Sequence, residues 1–236
     1  MSYRILIAGL LAGLFAGLIT SVLQQALTVP IIHIAETFES GHHDHAAPDA
    51  AATPHATTGH VHDAFAWAPS EGLERIAFTT LASVGACIGF AFILVAGMIL
   101  LGETPSARRG LIWGGCFFIA FSLAPALGLP PELPGMEAGA LPFRQAWWFG
   151  TIATSLLGLW LILKVGKPIA IVIGAIVMIA PHLVGAPLSL VPMNSAVPPE
   201  LSARFVVNAM VVAAAMWLMI GSLTGLIWQR LERSAP

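Results

Sequence analysis

Apolar runs of roughly twenty residues dominate this chain, divided by polar separators that are short except for one long stretch after the first run. Runs at about 5–27, 77–101, 111–129, 146–163, 168–186 and 204–228 stand out. Each supplies the roughly 17–25 apolar residues that a helix needs to cross a hydrocarbon core about 30 Å thick. Helices are the expected form, because lipid offers no partner for an open backbone group. The pattern predicts an all-α integral membrane protein, a bundle of six transmembrane helices, read as a single membrane domain over residues 1–236. The fourth and fifth runs are separated only by Lys164-Val165-Gly166-Lys167, so a five-helix chain in which they merge is the alternative. Two lysines, a glycine and Pro168 at a first-turn position favour a tight hairpin instead.

Composition supports this reading. The chain is 57% hydrophobic and 9% charged, with mean hydropathy +0.86, whereas soluble domains carry about 25% charged residues. The first run follows Arg4 and has the look of a signal peptide, but it exceeds the roughly 7–15 residues of a signal core. It is expected to stay as a first helix. Cys87 and Cys116 both lie in apolar runs and read as packing residues. Gly166-Lys167 is followed by Pro168 and lacks the upstream glycine of a phosphate-binding loop, so no ATPase is expected. No HExxH, Ser/Lys dyad or paired carboxylates suggest an enzyme, and no nucleic-acid partner is expected.

Charge orients the bundle. With the N-terminus in the cytoplasm, six spans put Arg4, Arg108, Arg109, Lys164, Lys167, Arg230 and Arg233 inside, against Arg75, Arg144 and Arg204 outside. That bias obeys the positive-inside tendency and predicts both termini cytoplasmic in a bacterial inner membrane. Merging spans four and five would put Arg230 and Arg233 outside and weaken it. Only Glu103 and Glu232 of the twelve acids fall inside, giving the outer face a net charge of −7 and the inner face +5. Such an outer face concentrates cations.

Small residues predict close helix contacts. Gly9, Gly13, Gly17 and Ser21 form one stripe on the first helix; Gly85 with Gly89, and Gly221 with Gly225, repeat the spacing on the second and sixth. Trp147 and Trp148 are expected at the outer interface and Trp113, Trp160 and Trp228 near inner ends, with Trp217 packed mid-helix.

The candidate chemistry is concentrated in one place. Seven of the eight histidines lie between His33 and His62, within an external segment at 30–75. Residues 40–64 are rich in Ala, Pro, Thr, His and Asp and are expected to be disordered without metal. His42, His43, Asp44 and His45, then His60, His62 and Asp63, mix imidazole with carboxylate, a donor set that suits divalent transition metals. Their spacing is not that of a structural zinc site, which suggests a collector of modest affinity.

The selective step is expected elsewhere. His182 is the lone histidine within a run, next to Pro181, which frees a carbonyl four residues earlier; Met178 lies one turn before it. An ionisable group inside a span is a functional candidate by default. The first helix is expected to continue through Pro30 to His33 and Glu36, whose i, i+3 spacing lets both reach one ion, and Gln24 or Gln25 should face protein. A proline-rich turn from Leu123 to Gly135 presents Glu132 at the same mouth; Asn194 and Glu200 are weaker candidates.

Taken together, the chain resembles the CbtA family of proposed cobalt transporter subunits. The resemblance is carried by the glycine-rich first helix, the external histidines, Leu123 to Gly135, Arg144-Gln145-Ala146-Trp147-Trp148, and Ala180-Pro181-His182-Leu183-Val184-Gly185-Ala186-Pro187. It implies cobalt as the cargo, a link to cobalamin biosynthesis, and a small single-span partner with its own histidine motif. The family is described with five spans, one fewer than the charge map. The expected function is uptake of a divalent metal with no fixed cofactor: the external histidines collect it and a mouth near His33, Glu36, Glu132 and His182 passes it inward. Alternatives are a membrane sensor or metallochaperone that does not transport, and a nickel transporter, since nickel binds such sites more tightly.

Overall fold

A computed structural model of the chain describes residues 2–40, 69–70, 72–136, 139–187 and 197–234. The described residues form helices α1 (Ser2–Leu27), α2 (Val29–Ser40), α3 (Leu73–Leu100), α4 (Ala107–Phe118), α5 (Ala124–Ala126), α6 (Leu141–Trp160), α7 (Pro168–Val184) and α8 (Pro199–Arg233). A π-helical segment, π1 (Ile119–Leu123), joins α4 to α5, and a second, π2 (Leu161–Val165), extends α6. Five helical units are long and apolar enough to cross a membrane: α1, α3, α4 through α5, α6 through π2, and α8. The remaining apolar run is α7, 17 residues long and at the lower limit of about 17 for a span.

The lysine-glycine-lysine separator does break the chain into a hairpin. Gly166 adopts a left-handed conformation (φ 62°) that ends π2, and Pro168 opens α7. Residues 30–40 lie in α2, so the chain does stay helical past Pro30 to His33 and Glu36, as a separate helix after the break at Thr28.

Helices α1 and α3 run antiparallel, and the glycines of α1 bring them together. A Cβ at Gly13 would strike the Ile88 backbone, and one at Gly17 would meet Val84 Cα. Ser21 and Thr80 share a hydrogen bond of 2.7 Å one step further along the same register. On the other side Gly110, Gly114, Gly221 and Gly225 bring α4 and α8 into backbone contact. Between these pairs sits the core, with Ala12, Ala16, Cys87, Ala91, Leu94, Met98, Phe117, Trp217 and Ile220. Trp217 packs there as expected and donates to Ser122 Oγ at 3.1 Å. Gly85 and Gly89 depart from expectation, since nothing lies within 4 Å of a Cβ at either position. Trp228 is also corrected, being 3% exposed in a core cluster with Ala8 and Val95 rather than in an interfacial belt.

Polar contacts define the two ends of the bundle. Arg4 at the start of α1 pairs with Glu232 near the end of α8 at 3.5 Å. The Gln229 side chain accepts from Ala107 N at the start of α4. Glu103 takes both Arg109 and Lys164. This is the terminal end, where α1 begins and α8 ends. At the distal end Asn208 of α8 donates to the Leu27 carbonyl at 2.7 Å, and the pairs Arg75–Glu36 and Arg144–Glu132 lie there too.

The α6–α7 hairpin stands apart from this core. Among the described elements α7 packs against α6 and π2 alone, while α6 leans on π1, α5 and α4.

Candidate functional site

At the distal end the first candidates lie on α2. His33 Nδ1 is 3.2 Å from Glu36 Oε2, so the i, i+3 spacing does bring the two together. Arg75 of α3 donates from Nη2 to Glu36 Oε1 at 2.5 Å. The guanidinium holds the Glu36 carboxyl below its ordinary value, with His33 adding to the effect against a smaller opposing cost of burial. Ile31 and Ala35 are buried against Leu133 and Val197. At 3.6 residues per turn His33 and Glu36 therefore sit on the other side of α2, away from the Glu132 turn.

Glu132 is positioned by the connector between α5 and α6. Pro130 and Pro131 stiffen that turn, and the 3% exposed Leu133 anchors it against α2. The Glu132 carboxylate accepts from Arg144 Nη2 of α6 at 2.6 Å. Below this pair opens a cavity of about 410 Å³, lined by Phe121, Ser122, Leu129, Gln145, Trp148 and Met210 among others.

His182 sits half-buried on α7, with its ring edge-on to Trp147 at a centroid distance of 5.6 Å. Trp147 Nε1 donates to the Pro181 carbonyl at 3.2 Å, which also accepts from Gly185 N. The Met178 side chain faces Gly158 of α6, so its thioether is placed in a helix contact. Gln24 does face protein, accepting from Ser83 Oγ at 2.8 Å. Glu200 is exposed at the start of α8.

His33 and Glu36 are thus brought together, Glu132 and His182 each meet other partners, and no three His, Cys, Asp or Glu side chains gather among the described residues. His42, His43, Asp44, His45, His60, His62, Asp63 and Asn194 lie outside the described residues. Cys87 and Cys116 are free thiols, Cys87 buried and Cys116 half-buried.

Sequence reasoning missed the arginines. The sequence gives no partner to Arg75 or Arg144, although each neutralises a carboxylate offered as a ligand. Arg75 is 39 residues from Glu36, a separation no local rule detects. Arg144 follows Glu132 by 12 residues across a proline turn, a signal that was available.

A family model described as a probable cobalt transporter subunit (CbtA) matches residues 2–229. No curated protein and no solved structure matches the chain.

Proposed function

Because the chain belongs to the CbtA family of probable cobalt transporter subunits, we propose that it carries divalent cobalt inward across a bacterial inner membrane. It is a membrane transport subunit and not an enzyme. The family match over nearly the whole chain is the observation that carries the reading, since only it selects cobalt. The histidine-rich composition of 40–64 supports it independently, as a donor set for a divalent transition metal.

The proposal has six crossings with both termini in the cytoplasm. The Arg4–Glu232 pair supports an even number, because α1 begins where α8 ends. With α7 as the sixth crossing, the arginine- and lysine-rich terminal end faces the cytoplasm, in keeping with the positive-inside tendency. The distal end then faces outward. The external histidines His42, His43, His45, His60 and His62, with Asp44 and Asp63, collect the ion, helped by the acidic outer face.

From there the ion passes stepwise. The adjacent His33 and Glu36 form a half-site near the base of the histidine segment, because α2 ends at Ser40, two residues before His42. Glu132 and His182 act at the mouth itself. With Arg75 and Arg144 in place, the two carboxylates bind a cation only when a guanidinium yields. The membrane potential alone favours inward movement of a dication by about 4.6 kcal/mol per 100 mV. A partner chain, supported by the family's being one of transporter subunits, completes the transporter, and in this proposal it is a small single-span protein carrying histidine.

Competition uptake of cobalt, nickel and zinc tests this, with His182→Ala and a deletion of residues 41–63. The deletion is expected to raise the half-saturating concentration about tenfold or less, consistent with the loss of a collector worth about 1.4 kcal/mol. His182→Ala is expected to abolish flux. Unchanged cobalt accumulation without the chain, alongside retained metal binding, would sink the transport reading.

A further inference from the structure

We infer that the α6–α7 hairpin moves as one piece against the α1/α3/α4/α8 core, and that Arg144 and Lys164 are its latches, closing on Glu132 at the distal end and on Glu103 at the terminal end. The inference rests on the transport reading and goes beyond it by naming the moving part and the residues that hold it.

The hairpin is tight within itself and loose towards the core. Gly158 of α6 and Gly174 of α7 approach so closely that a Cβ on either would meet the other's carbonyl, and Met178 fills the remaining space. Beyond α6 and π2, α7 has no packing partner among the described elements. The seam between α6 and the core is close at its distal end, where Trp147 packs on Gly128, and elsewhere opens as a surface cleft of about 410 Å³ lined by Gln145 and Trp148 of α6, Phe121 and Ser122 of π1 and Met210 of α8. Protein interiors are close-packed, so a seam cut by an open cleft has fewer contacts to lose than the glycine-lined contact of α6 with α7.

Of the ion pairs among the described residues, two cross this seam, one at each end. Arg144 reaches Glu132, whose connector is anchored to the core through Leu133, Ile31 and Ala35. Lys164 reaches Glu103 in the turn between α3 and α4. Glu103 keeps Arg109 as a second partner, so it is not stranded when Lys164 leaves. Both pairs are partly exposed, the setting in which an ion pair is weak enough to break and re-form. Each latch also adjoins a π segment. π1 lines the cavity beneath Glu132, and Lys164 lies in π2. Such segments loosen the regular hydrogen-bond ladder and admit bending.

A cation at the mouth competes with Arg144 for the Glu132 carboxylate and so favours the distal-open state. Breaking the Glu103–Lys164 pair favours the other. A ligand's apparent affinity scales with the population of the state that binds it. Arg144→Gln should therefore lower the external cobalt concentration for half-maximal uptake, and Lys164→Gln should raise it.

The test measures cobalt uptake by cells making the full chain, alone and with its partner, for Arg144→Gln, Arg144→Lys and Lys164→Gln. Threefold or larger shifts in opposite directions are expected for the two glutamine variants, with Arg144→Lys close to the unaltered chain. Shifts in the same direction, or none, overturn the latches. A second readout needs no cargo. In the purified full chain, amide exchange in π1 and at the start of α6 should quicken at least threefold in Arg144→Gln, while α1 and α3 stay unchanged. Unchanged exchange at π1, or equal loosening throughout, overturns the moving hairpin. If even the unaltered chain takes up no cobalt, the transport reading fails, and exchange alone judges the hairpin.

Discussion

Glu36 and Glu132 look like metal ligands in the sequence, yet each is held by a guanidinium, and that changes what they can do. A carboxylate paired with arginine offers little free charge to a passing ion, so Arg75 and Arg144 govern access to it. The Glu36 pairing also makes the position of α2 sensitive to acid. Its carboxyl is held below the ordinary value of 4.5, so the pair contributes above about pH 4.5 and is lost as pH falls through the depressed value. Amide protection along 31–38 is therefore expected to fall between pH 6 and pH 3. In Glu36→Gln it should already be low and stay level across that window. Equal protection of the unaltered chain at both pH values would mean that Leu133 and Val197 alone hold α2. Glu103 is lowered in the same sense, chiefly by Lys164 and with help from Arg109, so acid releases its pairs with Lys164 and Arg109 as well.

At the scale of elements, glycine spacing announced where helices touch, but not on every face that carried it. Gly13 and Gly221 meet the backbone of another helix, whereas Gly85 and Gly89 face open space. Gly13→Leu and Gly221→Leu are expected to destabilise the bundle by about 1–3 kcal/mol or more, the usual cost of overpacking. Gly85→Leu has no neighbour to strike and should change stability by less than about 1 kcal/mol, helped by the better helix propensity of leucine. Thermal unfolding of the three variants in one detergent checks this, and equal losses would mean that the α3 stripe is covered by something the single chain does not supply. Helix limits were legible within a few residues, because a hydropathic run and a flanking charge or proline mark each end. The π segments were not legible, since neither Ile119–Leu123 nor Leu161–Val165 carries a local sequence signal for an extra residue in the turn.

At the scale of the molecule, the Arg4–Glu232 pair bears on the count of crossings more directly than hydropathy does. Reporter fusions to the N- and C-termini are expected to report the same, cytoplasmic, side. Opposite sides would mean that α7 does not cross and that the chain has five spans. The sequence by itself determined an all-α membrane bundle, the six apolar runs, the hairpin at Gly166 and a metal-suited donor set, because hydropathy, turn chemistry and ligand chemistry are written in neighbouring residues. It also placed Glu103 and Glu232 with the basic residues of one end, since charge sorts by loop. Only the tertiary structure decided which glycines touch, which carboxylates are already taken by arginine, and that among the described elements α7 rests on α6 and π2 alone. The physical reason is common to all three. Each depends on groups tens of residues apart meeting across helix faces, and the rotation of a helix about its axis is fixed by packing rather than by any pattern along a single run.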